Sequence, residues 1–317
     1  MDANRASGFL SRSNPGYQNS KIGHATLDLQ SSAGDMVTKL AGIPAEYVHF
    51  CAYLARDGLE ELSHINGIML SNFIQALEIT GAIKRLKCFI LTCGFKHYGV
   101  YLGNCKRPLL EDDPLLQSNK GGQATSRGQW EWVVTLTEHV QGYARGNFMN
   151  EATALGQYCA VSKALPGRTL AVKPITSLFW TSANLHAKFC NNVFNMMNGD
   201  TEPFQNVWPR LAARFECKIP TPMFPGGGVT DSKGFKSFVP TTVRMSNKHP
   251  LTVRAVEIGV SPHPEKKKRH QPCFLTFVMG RDWSCVGSMT KARKLGWTGY
   301  SDTWDKLEET FQPRKNF

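Results

Sequence analysis

Cys88-Phe89-Ile90-Leu91-Thr92 carries almost no polar side chain. A strand that alternates polar and apolar residues has one wet face. A run like this has none, so it must be covered on both faces, as in a parallel sheet between helical layers. Trp130-Glu131-Trp132-Val133-Val134-Thr135-Leu136 is a second run of this kind. Parallel neighbours cannot be joined by a tight hairpin and need a crossover, ordinarily a helix. The chain is therefore expected to be α/β, with a parallel sheet flanked by helices.

The segments around these runs fit that expectation. Gly23 to Leu29 reads as a short strand ending at an acidic residue, Asp28. Ser31 to Leu40 reads as a helix, with Met36, Val37 and Leu40 at helical spacing. Glu46 to Ala52 reads as a further strand. Glu60 to Thr80 is a long helical pattern, stopped by Gly81, where a glycine can turn left-handed. In the second half, Phe148 to Leu165 reads as helix and Asn192 to Asn198 as strand, with Asn198-Gly199-Asp200 as its turn. Phe204 to Phe215 is a helix with Trp208, Leu211, Ala212 and Phe215 on one face. Ile219 to Lys236 is a Pro- and Gly-rich loop or flap, and Asp302 to Phe311 a closing helix.

The chain has 317 residues and no apolar run near the ~20 residues of a membrane span. Met1 to Ser20 is polar and has no apolar signal-peptide middle, so a cytoplasmic protein is expected. Nine cysteines stand apart, with no CxxC pair and no zinc spacing, as expected for reduced, half-buried thiols. The net charge of +12 is spread along the chain, apart from Lys266-Lys267-Lys268-Arg269 in a Pro-flanked polar loop, read as solvated. The expected partner is a small-molecule substrate, with neither nucleic acid nor membrane.

The chemistry concentrates in Leu91-Thr92-Cys93-Gly94-Phe95-Lys96-His97-Tyr98-Gly99. In an open parallel sheet the ligand crevice lies outside the carboxyl ends of the strands. A buried strand ending in Thr-x-Gly and running at once into Lys, His and Tyr delivers polar groups to that place. Lys96 could hold a ribose hydroxyl and lower the pKa of a neighbouring hydroxyl. His97 with Cys93 or Cys105 would suggest a thiol nucleophile, but nothing in the pattern orients such a pair. Asp112-Asp113 before Pro114 reads as a solvated turn.

Thr92-Cys93-Gly94-Phe95-Lys96-His97-Tyr98 resembles the TGxKHY motif of the progesterone 5β-reductase and iridoid synthase-like family. These are atypical extended short-chain dehydrogenases/reductases, and the fungal NAD-dependent epimerase/dehydratase branch is the most similar. Asn195-Met196-Met197-Asn198-Gly199-Asp200 resembles the family's FNxxNGD stretch. Met289 to Trp297, with Asp302-Thr303, is similar to its C-terminal ending. The resemblance implies a Rossmann-like NADP-binding domain over residues 1–147 and an interleaved substrate region, smaller and more irregular, over 148–317. It implies NADP(H) as cofactor and a small, mostly apolar enone or ketone, reduced or epimerised, as in fungal secondary metabolism. Residue by residue, Lys96 would assist catalysis and cofactor binding, next to Thr92. Arg12 would contact the adenosine 2′-phosphate, which suits the bidentate guanidinium, and Ser11 beside it would also bind the cofactor. Asp28 and Leu29 would lie beside the adenine, and Ala52 and Tyr53 would line the cofactor.

The sequence departs from this pattern in two places. The family's glycine-rich turn, which sets a pyrophosphate on a helix N-terminus, is not reconstructed by Gly8 and Gly16. The family's tyrosine on a helix after the lysine has no counterpart, since no tyrosine lies between Tyr101 and Tyr143 and residues 118–128 run straight into the Trp130 strand. Tyr98 and Tyr101 are the hydroxyls that could stand in for it. Two readings account for the departures: a divergent paralogue with impaired catalysis, or a chain encoded with segments missing.

Overall fold

The computed structural model describes residues 23, 25–56, 58–100, 102, 105–114, 130–138, 151–164, 167–170, 177–178, 189–223, 229–230, 236–237 and 285–312. Its centre is a four-stranded, wholly parallel sheet. The strands are β1 (Tyr47–Phe50), β2 (Cys88–Gly94), β3 (Glu131–Thr137) and β5 (Asn192–Asn195), side by side in that order. His49 stands opposite Ile90, Ile90 opposite Val133, and Val133 opposite Asn192. This is a Rossmann-like arrangement, as the apolar runs require.

Helices α1 (Ala33–Leu40) and α2 (Leu59–Ile79) cover one face. Met36, Leu40, Ala76 and Leu77 meet Phe50, Phe89 and Trp130 there. Alternation along β2 sends Cys88 and Ile90 to the other face, where they join Phe95, Phe189, Phe194, Met197, Met289 and Trp297. The almost wholly apolar β2 is thus a strand covered on both sides. Gly81 ends α2 with φ 71°, in the left-handed region that its lack of a Cβ permits.

A separate cluster joins α3 (Glu151–Ala164), α4 (Phe204–Phe215) and a C-terminal helix, α6 (Thr303–Phe311). Trp208 stacks on Tyr158 at 5.9 Å, with Leu211 and Leu307 fully buried around them. A shorter helix, α5 (Thr290–Lys294), packs near β5. Two small antiparallel pairs complete the described structure: β4 (Ser177–Leu178) with β6 (Glu202–Pro203), and β7 (Val229–Thr230) with β8 (Lys236–Ser237).

One expected strand is corrected. Residues 25–28 form no strand, although Leu27 is half-buried against the α1–α2 layer. A strand exists only through bonds to a neighbour, and among the described residues none lies beside this segment. Asp28 instead opens a turn: its carboxylate accepts the Gln30 N–H at 2.9 Å and its carbonyl the Ser31 N–H at 3.2 Å. The turn leads into a reciprocal cap on α1. The Asp35 N–H donates to the Ser32 hydroxyl oxygen at 3.2 Å, and the Ser32 N–H donates to the Asp35 carboxylate at 3.3 Å. Ser32→Ala should therefore cost about 0.5–2 kcal/mol. Urea unfolding would show it, and an unchanged midpoint would mean the cap carries no stability.

Candidate functional site

The carboxyl ends of β1, β2, β3 and β5 form one edge, and the sequence-predicted Lys96 stands on it. β2 passes directly into a single turn of 3₁₀ helix, Phe95–Tyr98, closed by Gly99 at φ 81°. Phe95 is 2% exposed and pins this turn. Its ring lies so close to Gly287 that a Cβ there would meet Phe95 Cζ at 2.5 Å. The turn can thus present Lys96 and His97 while its first side chain is locked in the core. Lys96 keeps solvent contact, yet the surrounding protein desolvates its ammonium and lowers its pKa. Burial likewise lowers that of His97, favouring the neutral imidazole.

Tyr98 belongs to the scaffold of this edge. Its hydroxyl donates to Asn195 Oδ1 at 2.8 Å. Burial, with Glu111 nearby, pushes the phenol pKa up. Asn195 is fully buried, and its Nδ2 donates to the carbonyls of Leu109 (3.1 Å) and Ser288 (2.9 Å). The Asn of the expected FNxxNGD stretch therefore ties β5, the Lys96 turn and two distant loops together. Asn198 does the same a turn later, donating to Ser301 O at 2.6 Å and Thr303 Oγ1 at 2.9 Å. Tyr101, Ser11 and Arg12 lie outside the described residues.

Thr92 sits among polar groups from three strands. His49 Nε2 is 3.0 Å from its Oγ1, the Cys51 thiol donates to it at 3.4 Å and the Thr135 hydroxyl at 3.3 Å. Past β1, the chain through Ala52 and Tyr53 is held on α2 by Asn66. The Leu54 N–H donates to Asn66 Oδ1, and Asn66 Nδ2 donates to Leu54 O, both at 2.8 Å. Tyr53 is 41% exposed. Ala52 and Leu29 both pack into the α1–α2 layer, whereas Asp28 is exposed in its turn. The structure thus gathers Thr92, Lys96, Ala52 and Tyr53 around the ends of β1 and β2. Asp112 and Asp113 pair with Lys291 and Lys106, as suits a surface turn.

Sequence reasoning missed Asn66, Asn195 as a cross-link, and the His49–Cys51 pair. The signal for that pair was His-x-Cys on a strand, which puts both side chains on one face. An apolar cavity of about 100 Å³, lined by Leu40, Val48, Phe73, Leu77 and Leu86, lies elsewhere. Ala45 and Leu86, which precede β1 and β2, place it at the opposite, amino edge of the sheet.

No family model matches the chain. An uncharacterized protein of Schizosaccharomyces pombe is 27% identical over 360 aligned positions, covering 93% of this chain and 86% of that protein. That alignment is longer than the 317-residue chain, so the relative carries internal stretches without a counterpart here. A short chain dehydrogenase of Penicillium aethiopicum is 23% identical, over 92% of this chain and 84% of its own length. An (S)-8-oxocitronellyl enol synthase of Nepeta racemosa is 25% identical, over 59% of this chain and 55% of its own. Among solved structures, the UDP-glucose 4-epimerase of Thermotoga maritima with UDP-glucose matches at a TM-score of 0.59 and 14% identity, covering 95% of this chain and 87% of that one. The enzyme RMD of Pseudomonas aeruginosa complexed with NADPH matches at 0.54 and 13%, covering 92% and 88%. WbmG of Bordetella bronchiseptica, in complex with NAD and UDP, matches at 0.54 and 13%, covering 90% and 76%. The chain shares the fold of short-chain dehydrogenases and epimerases, and its sequence relatives support a place in that superfamily.

Proposed function

We propose that this chain is a nicotinamide-dependent reductase or epimerase of the short-chain dehydrogenase type, with NADP(H) at the carboxyl edge of its sheet. The observation that carries this reading is the placement of Lys96, an ammonium with a lowered pKa on a turn anchored by Phe95 at the carboxyl end of a doubly covered strand. That is where ligands bind in open α/β sheets. The donor that suits a polyhydroxylated, anionic cofactor is Lys96, in the turn after β2 and beside the Ala52–Tyr53 stretch after β1, and the family resemblance adds Thr92 to the cofactor contacts. When bound, such a cofactor supplies or takes a hydride. Lys96 would hold its ribose hydroxyls. Arg12 is assigned to the 2′-phosphate, Ser11 to the cofactor beside it, and Asp28 and Leu29 to the adenine, on the family resemblance. The same resemblance supports residues 1–147 as the NADP-binding part and 148–317 as the substrate region. It also supports a small apolar enone or ketone from fungal secondary metabolism.

A second reading, a binding protein with impaired catalysis, is favoured by one observation. The Tyr98 hydroxyl is spent on Asn195, and its pKa is raised, so it is poorly suited to donate a proton. Positioned proton transfer contributes typically ~10²–10⁴-fold, and turnover would fall by that factor without affecting cofactor binding.

Calorimetric titration with NADPH and NADH tests the primary reading, followed by NADPH oxidation with a panel of small enones and ketones. NADPH should bind more tightly than NADH. Lys96→Ala should weaken both about 10- to 100-fold, the loss of a charge-assisted bond of ~1.5–3 kcal/mol. Binding without turnover supports the impaired reading. Failure to bind either nucleotide, or a Lys96→Ala variant that binds as well as the parent, would overturn the assignment.

A further inference from the structure

On one face of the sheet, His49, Cys51 and Thr135 converge on a single oxygen, Thr92 Oγ1. Alternation places His49 and Cys51 on the same side of the chain at the end of β1, and Thr92 on β2 stands beside them. Cys51 donates its thiol proton to Thr92 Oγ1 at 3.4 Å, and Thr92 Oγ1 is 3.0 Å from His49 Nε2. A threonine hydroxyl has one proton and two lone pairs. With Cys51 donating to the oxygen, the Thr92 proton is left to point at the imidazole. The Thr135 hydroxyl also donates to this oxygen, at 3.3 Å, so both lone pairs are taken and the chain of bonds runs from thiol to hydroxyl to imidazole. Among the described cysteines Cys51 alone is exposed, and His49 is exposed too.

We propose that Cys51, Thr92 and His49 form a proton relay that makes Cys51 a nucleophilic thiol and a covalent attachment site for soft electrophiles of the α,β-unsaturated carbonyl class. This does not depend on the cofactor reading. The thiol proton passes to Thr92 as the Thr92 proton passes to His49 Nε2, leaving a thiolate and an imidazolium. The sulfur attacks the β-carbon, a C–S bond forms and the C=C π bond breaks. The electron pair moves through the enolate to the α-carbon, which takes the proton from His49. The net result is addition of S–H across the double bond, with no oxidant or further reactant.

The electrostatics point the same way. Burial opposes ionisation of Cys51, but the polar His49 and Thr92 side chains beside it and the charge of His49 outweigh it, so its pKa falls. The neighbouring Cys51 thiol raises the pKa of His49 against partial burial. The neighbouring residues on this face, Ile90 and Thr92 on β2 and Val133 and Thr135 on β3, carry no charge, and Tyr47 on β1 is 62% exposed. The other thiols serve as internal controls. Burial pushes Cys93 up to about 11, and burial with Glu131 and Cys88 nearby pushes Cys190 up to about 12.

The test is alkylation of the full chain by N-ethylmaleimide between about pH 5 and 9, followed site by site with mass spectrometry. Cys51 should react first, with a midpoint below the ~8.5 of a free cysteine. His49→Gln and Thr92→Val, shown folded by circular dichroism, should each slow Cys51 at neutral pH by roughly tenfold and move the midpoint back toward ~8.5. The unmutated profile needs no variant to be read. A Cys51 midpoint at or above ~8.5, or a rate untouched by His49→Gln, overturns the proposal.

Discussion

Asn195→Leu should destabilise the protein by at least about 3 kcal/mol, the largest loss we expect from a single polar side chain. Asn195 is fully buried and makes three bonds, one to the Tyr98 hydroxyl and two to the Leu109 and Ser288 carbonyls. Leucine can make none of them. The Leu109 carbonyl keeps the Ser288 N–H at 2.8 Å. The Tyr98 hydroxyl and the Ser288 carbonyl lose the partners they have here. Each buried group left unpartnered costs ~1–3 kcal/mol, beyond the value of the bond itself. Chemical denaturation reads the loss directly. A change under about 1 kcal/mol would mean that water replaces the amide and that the cross-link does not organise this edge.

Phe95→Ala should cost about 3–5 kcal/mol, the range for truncating a buried aromatic. The ring is 2% exposed, meets Tyr98 edge-on at 5.5 Å and lies against the Gly287 backbone. Its removal leaves a cavity that Gly287 has no side chain to fill. The same ring holds the turn that carries Lys96. Nicotinamide nucleotide affinity should therefore fall with stability, although Lys96 itself is intact. Denaturation and calorimetric titration on one preparation separate the two effects. Unchanged stability would show that the turn is held by something other than this ring.

The local signals in the sequence were those whose physics is local. The apolar runs at Cys88–Thr92 and Trp130–Leu136 required burial on both faces, and the parallel sheet follows from that alone. Helix limits were legible where chemistry marks them, as at Gly81 and over Phe204–Phe215. Lys96 was legible because a buried strand can end in such a cluster only at a sheet edge. Tertiary structure decided the rest. Leu27 looked like a strand, but no neighbour lies beside it among the described residues, and strand structure is a property of a pair. Tyr98 reads in the sequence as a spare hydroxyl, but in the fold it donates to Asn195, 97 residues away. The His49–Cys51–Thr92 constellation depends on a register between β1 and β2 across 43 residues. One side chain's chemistry is written in its residue type, but its partner is set by which strands pair and in what register, and that is decided by burial summed over the whole core.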